Sequence, residues 1–292
     1  MSRDGAGPLP SRFAKMSGAG NDFVVFLERA PGGPETGEAI RRLCDRRTGI
    51  GADGALFVTA GRQGDGPPRV VADYFNADGG AARFCANGTR CAARIASLRL
   101  DAGREFVVTT GWGPVGARIA GSGRVTIALP EPVRLGRTLP TLGLGAGTGA
   151  RIAAEAVEVE VGVPHLVVAV ADAASLGTLD LASLGPPLRR HPEMPDGANV
   201  NFVARTGASA LAIRTWERGV ENETLACGSG TVASAAVAAL RDEAAGPIGV
   251  RTRSGETLVV DFDRTREGLT AIRLTGDARL LYEGEIRWEE WS

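Results

Sequence analysis

Short runs of alternating or continuous apolar residues, each stopped by Gly, Pro or Asp, recur along the chain and predict strands. They cover residues 24–27, 55–59, 105–109, 125–129, 157–161, 166–170, 211–216, 257–262 and 271–274. Helical periodicity is rarer and falls at 38–47, 88–98, 175–184 and 230–243. Gly- and Pro-rich stretches near 130–150 and 185–197 read as connections. With strands far in excess of helices, the pattern predicts an α+β protein in which curled mixed sheets wrap round a few helices.

The pattern also repeats. Cys85-Ala-Asn-Gly-Thr-Arg-Cys-Ala-Ala and Cys227-Gly-Ser-Gly-Thr-Val-Ala-Ser-Ala lie 142 residues apart (227 − 85). Gly20-Asn-Asp-Phe-Val24-Val25 falls on Gly162-Val-Pro-His-Leu166-Val167 at the same offset. Asp73-Tyr-Phe-Asn-Ala-Asp-Gly79 falls on Thr215-Trp-Glu-Arg-Gly-Val-Glu221, and Asp53-Gly54-Ala55 on Asp196-Gly197-Ala198 one residue further along. Four matches in one order predict an internal duplication, with two like-folded, pseudo-symmetric halves and an active site in the cleft between them. The halves are read as 13–130 and 131–276, with 1–12 as a flexible leader.

Composition narrows the function. A length of 292 residues suits two domains. A net charge of −1 argues against a nucleic-acid footprint, which needs a basic face. No apolar run approaches the roughly 20 residues of a membrane-spanning helix. The first ten residues lack the apolar core of a signal peptide. Four cysteines without a secretory signal predict a reducing cytoplasm and thiols rather than disulfides. The single lysine, Lys15, among 33 basic residues reads as genome composition.

Cys85 and Cys227 carry the chemistry. Each stands before a helix start in a duplicated turn, where backbone N–H groups and the helix dipole favour a thiolate. Cys44 and Cys91 fit the commoner role of a small buried hydrophobe. Two histidines, His165 and His191, and no cysteine pair at knuckle spacing exclude a zinc site. The backbone N–H groups of Ala86, Asn87, Gly228 and Ser229 can bind a carboxylate and stabilise the enolate-like charge that grows as an α-proton leaves. One thiolate removes that proton while the opposing thiol returns another, and no cofactor is called for.

The remaining candidates lie in turns. Gly49-Ile-Gly-Ala-Asp-Gly54 satisfies the dinucleotide glycine pattern but sits between a helix and a strand in the wrong order, so it reads as a tight turn. Gly54, at its end, joins the substrate-binding set. Arg218 can fork onto a second carboxylate and Glu217 can take an ammonium. Asn21, Asn76 and Asn199 add directional hydrogen bonds.

Taken together, these segments resemble the diaminopimelate epimerase family. The resemblance runs through Met16-Ser-Gly-Ala-Gly-Asn-Asp-Phe23, Asp45-Arg-Arg-Thr-Gly-Ile-Gly-Ala-Asp-Gly54, Phe75-Asn-Ala-Asp-Gly79, Cys85 to Cys91, Val163-Pro-His165, Asn199-Val-Asn-Phe202 and Glu217 to Gly230, and closes on Gly276 to Glu285. It implies a cofactor-independent epimerase that interconverts LL- and meso-diaminopimelate, with the last strand (277–292) returning to the first half. It implies Cys85 and Cys227 as bases, with Asn21, Asn76, Asn199, Glu217 and Arg218 on the distal amino-carboxylate end. The Ala86–Asn87 and Gly228–Ser229 amides hold the reacting carboxylate, and His165 with Glu217 supports the site. The partner is a small amino acid, and homodimerisation is the ordinary expectation.

Four departures from the family pattern stand out: Gly79-Gly80-Ala81, Ala86, Val163 and one extra residue between Glu217 and Glu223. Val163 replaces a side-chain amide, a hydrogen bond of about 0.5–1.5 kcal/mol. That loss keeps open an alternative substrate of the histidine, proline or hydroxyproline type, although a Glu217–Arg218 pair suits a doubly charged distal end.

Overall fold

A computed structural model describes residues 8–61, 66–144 and 151–291. They fall into two units: residues up to Pro130 together with those from Gly276 on, and Glu131–Thr275. The first unit holds strands β1 (Arg12–Gly18), β2 (Asn21–Phe26), β3 (Gly54–Ala60), β4 (Arg69–Asn76), β5 (Ala81–Ala82), β6 (Glu105–Thr110), β7 (Gly113–Ile119) and β8 (Val125–Ala128). Its helices are α1 (Pro34–Cys44) and α2 (Ala86–Arg99). The second holds β9 (Leu135–Pro140), β10 (Ile152–Glu160), β11 (Pro164–Val170), β12 (Asn199–Gly207), β13 (Ala210–Glu217), β14 (Asn222–Thr224), β15 (Ile248–Arg251), β16 (Thr257–Arg264) and β17 (Leu269–Gly276). Its helices are α3 (Ala173–Thr178), α4 (Leu181–Arg189) and α5 (Gly228–Leu240); β18 (Arg279–Glu285) belongs to the first unit.

Strand order is the same in both. The first sheet runs β18-β1-β2-β3-β4-β6-β7-β8, with β5 on β4. The second runs β9-β10-β11-β12-β13-β15-β16-β17, with β14 on β13. Each is antiparallel except for one pair early in the sheet (β2 with β3, β11 with β12) and one later (β4 with β6, β13 with β15). The fold is α+β and duplicated, as expected from the sequence.

Each sheet curls round one helix. α2 packs against β1, β2, β3, β4, β6, β7, β8 and β18, and α5 against β9 to β13, β15 and β16. A helix enclosed on nearly every side must be small and apolar all round. The sequence of α5, Gly-Ser-Gly-Thr-Val-Ala-Ser-Ala-Ala-Val-Ala-Ala-Leu, meets that demand. The outer faces carry the amphipathic helices: α1 buries Ala39, Ile40 and Leu43 against Val24, Phe26 and Phe57. α3 and α4 bury Leu176, Leu184 and Leu188 against Phe202 and Trp216. No helix among the described residues is long and apolar enough to cross a membrane.

Several expectations need correction. The single helix expected over 175–184 is two, because Asp180 caps a new start through the Ala182 N–H (3.1 Å) and the Ser183 hydroxyl (2.6 Å). α4 then runs through the segment that reads as a connection from 185 on, and β9 lies inside the one near 130–150. The strands β1, β4, β7, β12 and β15 lie outside every predicted run. Within the expected leader, residues 1–7 lie outside the described residues, but Leu9 is buried and the Ser11 carbonyl accepts from Ile286 N–H at 2.8 Å. The duplicate of Gly54 is Asn199 rather than Gly197: Gly54 faces Phe23 across β2–β3, and Asn199 faces His165, the residue 142 beyond Phe23.

Candidate active site

Both cysteines are helix N-caps. Cys85 heads α2 with φ −140° and ψ 113°, and Cys227 heads α5 with φ −120° and ψ 111°, the extended backbone an N-cap requires. Each sulfur replaces the usual capping oxygen: Cys85 Sγ accepts from Gly88 N–H and Cys227 Sγ from Gly230 N–H, both at 3.4 Å. Thr89 and Thr231 turn their hydroxyls back to the carbonyls of Cys85 and Cys227, at 2.9 and 2.8 Å. The two turns are the same device built twice. The first-turn N–H groups of such a helix, here those of Ala86 with Asn87 and of Gly228 with Ser229, lack intrahelical acceptors. An anion beside them is stabilised.

The other two thiols are packing groups. Cys44 is buried and its thiol is pushed up to about 12, chiefly by desolvation. Cys91 is fully buried and is raised for the same reason.

The first unit brings Asn21, Gly54, Asn76 and Asn87 to the end of its sheet that carries Cys85. Gly54 pairs with Asn76 across β3–β4, and a Cβ there would press on the Phe75 carbonyl and the Tyr74 ring. Asn76 also closes the turn to Gly80, whose carbonyl accepts its N–H at 2.9 Å. The amide orientations are fixed by a residue that only donates: Arg90 Nη2 reaches Asn87 Oδ1 at 2.7 Å. Asn87 Nδ2 therefore donates to Asn21 Oδ1, and Asn21 Nδ2 to Asp53 Oδ2 at 3.0 Å. Asp53 shares Arg46 with Asp22. Asp22 also pairs with the buried Lys15 at 2.8 Å, whose ammonium donates to the Gly51 carbonyl. Burial by itself would raise Asp22, but hydrogen bonds from Arg46 and Lys15 outweigh it and hold the carboxyl below its ordinary value.

In the second unit His165 faces Asn199 across β11–β12, and Asn199 meets Arg218, the residue after Glu217. Asn199 Oδ1 accepts from Arg218 N–H at 2.8 Å, fixing the turn after β13, and Arg218 Nη1 donates to the Asp196 carbonyl at 3.1 Å. Glu217 Oε2 accepts from the Thr224 hydroxyl at 2.7 Å. Beneath the cysteine turn lies Asn201, whose Oδ1 accepts from Thr215 Oγ1 at 3.0 Å. Its Nδ2 therefore faces His165 Nδ1 at 3.1 Å, which makes Nδ1 the acceptor and puts the ring hydrogen on Nε2. His165 is fully buried, and desolvation, followed by the nearby Arg218, pulls it down to about 3. It is neutral at pH 7.

Sequence reading did not single out Arg90, Asn201, Thr215, Asp22 or the role of Lys15. One signal for Lys15 was present: a lone lysine in a chain that otherwise uses arginine. For Arg90 the signal was its mismatch with Val232 in the duplicated turn.

A family model for diaminopimelate epimerase matches residues 13–134 and 157–281. The chain belongs to the diaminopimelate epimerase family. The diaminopimelate epimerase of Aquifex aeolicus is 36% identical over 289 residues, 95% of this chain and 98% of that one. That of Chlorobaculum tepidum is 39% identical over 279 residues, 93% of this chain and 99% of its own. Among solved structures, a phenazine biosynthesis protein of the PhzF family from Bacillus anthracis has a TM-score of 0.69 at 14% identity, covering 94% of this chain and 98% of that chain. A hydroxyproline epimerase from Agrobacterium vitis has a TM-score of 0.65 at 15% identity, covering 94% and 90%. These two likenesses establish the fold the family shares with them, and nothing about substrate.

Proposed function

We propose that the chain is a cofactor-independent isomerase that interconverts LL- and meso-diaminopimelate, with Cys85 and Cys227 acting on opposite faces of one α-carbon. The observation that carries this reading is the matched pair of N-cap cysteines, one at the head of each half's enclosed helix. One sulfur, as thiolate, takes the α-proton, and its electron pair moves into the carboxylate as an enolate-like charge. The other sulfur, as thiol, gives its proton to the opposite face of the carbon. One S–H and one C–H bond form while one of each breaks, and the two sulfurs end with their protonation states exchanged.

The chain's own groups supply the acidity. N–H groups at the heads of α2 and α5 bind the carboxylate and stabilise the charge it gains. Arg218 and Glu217 meet the distal carboxylate and ammonium, and Asn21, Asn76 and Asn199 set their direction. Such a reaction suits the supply of lysine and of peptidoglycan precursor.

Val163 favours a second reading, in which the same two-thiol chemistry serves another amino acid. Incubation with LL-diaminopimelate in D₂O decides between them. The first reading expects α-deuterium and meso product from the wild type, and neither from a Cys85→Ala, Cys227→Ala double variant. Exchange only on a different amino acid would transfer the chemistry to that substrate. A full panel of amino acids without exchange would refute both.

A further inference from the structure

The duplication breaks at one buried position. After Gly and Thr, which both turns share, the first has Arg90 where the second has Val232, and both side chains are fully buried. An isolated charge in an interior is expensive, and buried cations are accordingly matched by anions. Arg90 has no carboxylate partner among the described residues. Its guanidinium donates to three neutral acceptors: Asn87 Oδ1 at 2.7 Å, the Ala86 carbonyl at 3.3 Å and the Asp277 carbonyl at 3.4 Å. The Asp277 carboxylate is directed elsewhere, one oxygen to Ala19 N–H at 2.8 Å and the other to Arg279 at 3.1 Å.

Among the described residues, the groups whose fields reach Arg90 include Cys91 on its own helix, Asp277 ahead of β18, Cys85 at the head of the helix, and Arg124 ahead of β8. Arg124 has the wrong sign. Burial keeps Cys91 a neutral thiol. Asp277 helps, but its carboxylate already answers Arg279. Beside it stands Cys85: half-buried, one residue from the carbonyl that Arg90 holds, and able to carry a negative charge.

The second unit is built without that charge. Val232 fills the equivalent place, and beneath Gly230 sit the uncharged Asn201, Thr215 and neutral His165. The fixed charges on that side, Glu217 and Arg218, lie at the end of β13 and in the turn after it.

We propose that Arg90 is the buried counter-charge of Cys85 and makes the two thiols inequivalent, so that the free protein rests with Cys85 as thiolate and Cys227 as thiol. Arg90 is thus a positioning residue: it touches no substrate, yet it orients Asn87 and sets the resting state of the neighbouring sulfur. The resting form accepts only the stereoisomer that turns its α-hydrogen toward Cys85. A turnover then leaves the sulfurs reversed, and a proton must pass back through solvent before the next. This builds on the two-thiol reading, but its test needs no substrate and so fails or succeeds separately.

The test is the pH dependence of iodoacetamide alkylation, followed by peptide mass spectrometry. Cys85 is read in a Cys227→Ala chain and Cys227 in a Cys85→Ala chain, with Cys44 and Cys91 buried throughout. The Cys85 midpoint is expected below that of Cys227. Arg90→Gln should raise the Cys85 midpoint by about one pH unit, slowing its alkylation at neutral pH about tenfold, and leave Cys227 in place. Arg90→Lys should retain most of the wild-type value. An unmoved Cys85 midpoint in a folded Arg90→Gln chain, or an equal shift of both thiols, would overturn the proposal. If Arg90→Gln does not fold, Asn87→Asp offers the guanidinium a carboxylate in place and must raise the Cys85 midpoint; no rise refutes the idea. Normal thiol shifts without deuterium exchange on any amino acid would sink the epimerase reading and leave this one standing.

Discussion

The carboxamide oxygen of Asn201 occupies the space that a side chain on Gly230 would need. That oxygen is held by Thr215, and the other end of the amide by His165 and the Leu166 carbonyl at 3.2 Å, so it has nowhere to retreat. In the duplicate turn, a methyl on Gly88 would meet nothing nearer than Leu56 at 3.4 Å and its own Cys85 at 3.5 Å, which is ordinary contact. The same substitution should therefore act oppositely in the two halves. Gly230→Ala should lower stability by about 1–3 kcal/mol through overpacking. Gly88→Ala should be neutral or gain up to about 1 kcal/mol from helix propensity. Urea unfolding of both variants checks this, and equal losses would show that the two turns are not packed as described.

His165 gives the protein an acid weakness. Unfolded, it titrates near its ordinary 6.5; in the fold, burial pulls it down to about 3. Between those limits the unfolded chain binds a proton that the folded chain does not. The stability present above about pH 6.5 is therefore lost as pH falls toward 3, with a slope of about 1.4 kcal/mol per pH unit. His165→Gln should lack that component. Unfolding free energies at pH 7.5, 6 and 5 test it; parallel decline in both chains would assign the loss to other groups.

Lys15 depends on Asp22. The lysine is buried, its ammonium pairs with the carboxylate, and Asp22→Asn would leave that charge without its anion. The variant should lose about 3–5 kcal/mol. Because Lys15 is the only lysine, acetylation of the chain's lysine reports its exposure directly. It should be slow in the native protein and fast in the variant at the same temperature.

Arg214 ties three segments of the second unit together. Its Nε and Nη2 fork onto Glu223 at 2.7 Å each, while Nη1 reaches the carbonyls of Leu176 at 3.0 Å and Leu179 at 2.8 Å. A lysine cannot make that planar set. Arg214→Lys should lower stability by about 1–3 kcal/mol, read from the shift in urea midpoint. An unchanged midpoint would mean that the fork adds nothing over solvent.

The cysteine turns were legible because N-cap geometry is local: a small polar turn before an Ala-rich run leaves few alternatives. The duplication was legible in the same turns. Strands such as β7, with Gly113, Pro114 and Gly116, or β1, with Arg12 and Lys15 among its apolar residues, were not. Their extended state is imposed by neighbours on both sides, and strand preference is largely a matter of such context. The supports of the site were hidden for a related reason. The mismatch of Arg90 with Val232 marks the position but does not say that the side chain points inward among alanines, and nothing in the sequence says that Asn201 lies under a glycine three elements on. The alignment of Gly54 with Asn199 likewise follows from strand register, which the repeated letters Asp-Gly-Ala disguise.

The outer strand of each sheet has a different origin. In the second unit, β9 comes directly before β10 and pairs with it, so that unit is one continuous stretch of chain. In the first unit the equivalent place beside β1 is filled by β18, made only after the whole second unit. On the ribosome, the later half can therefore close while the earlier half still lacks its edge. The half carrying Cys85 is begun first and completed last.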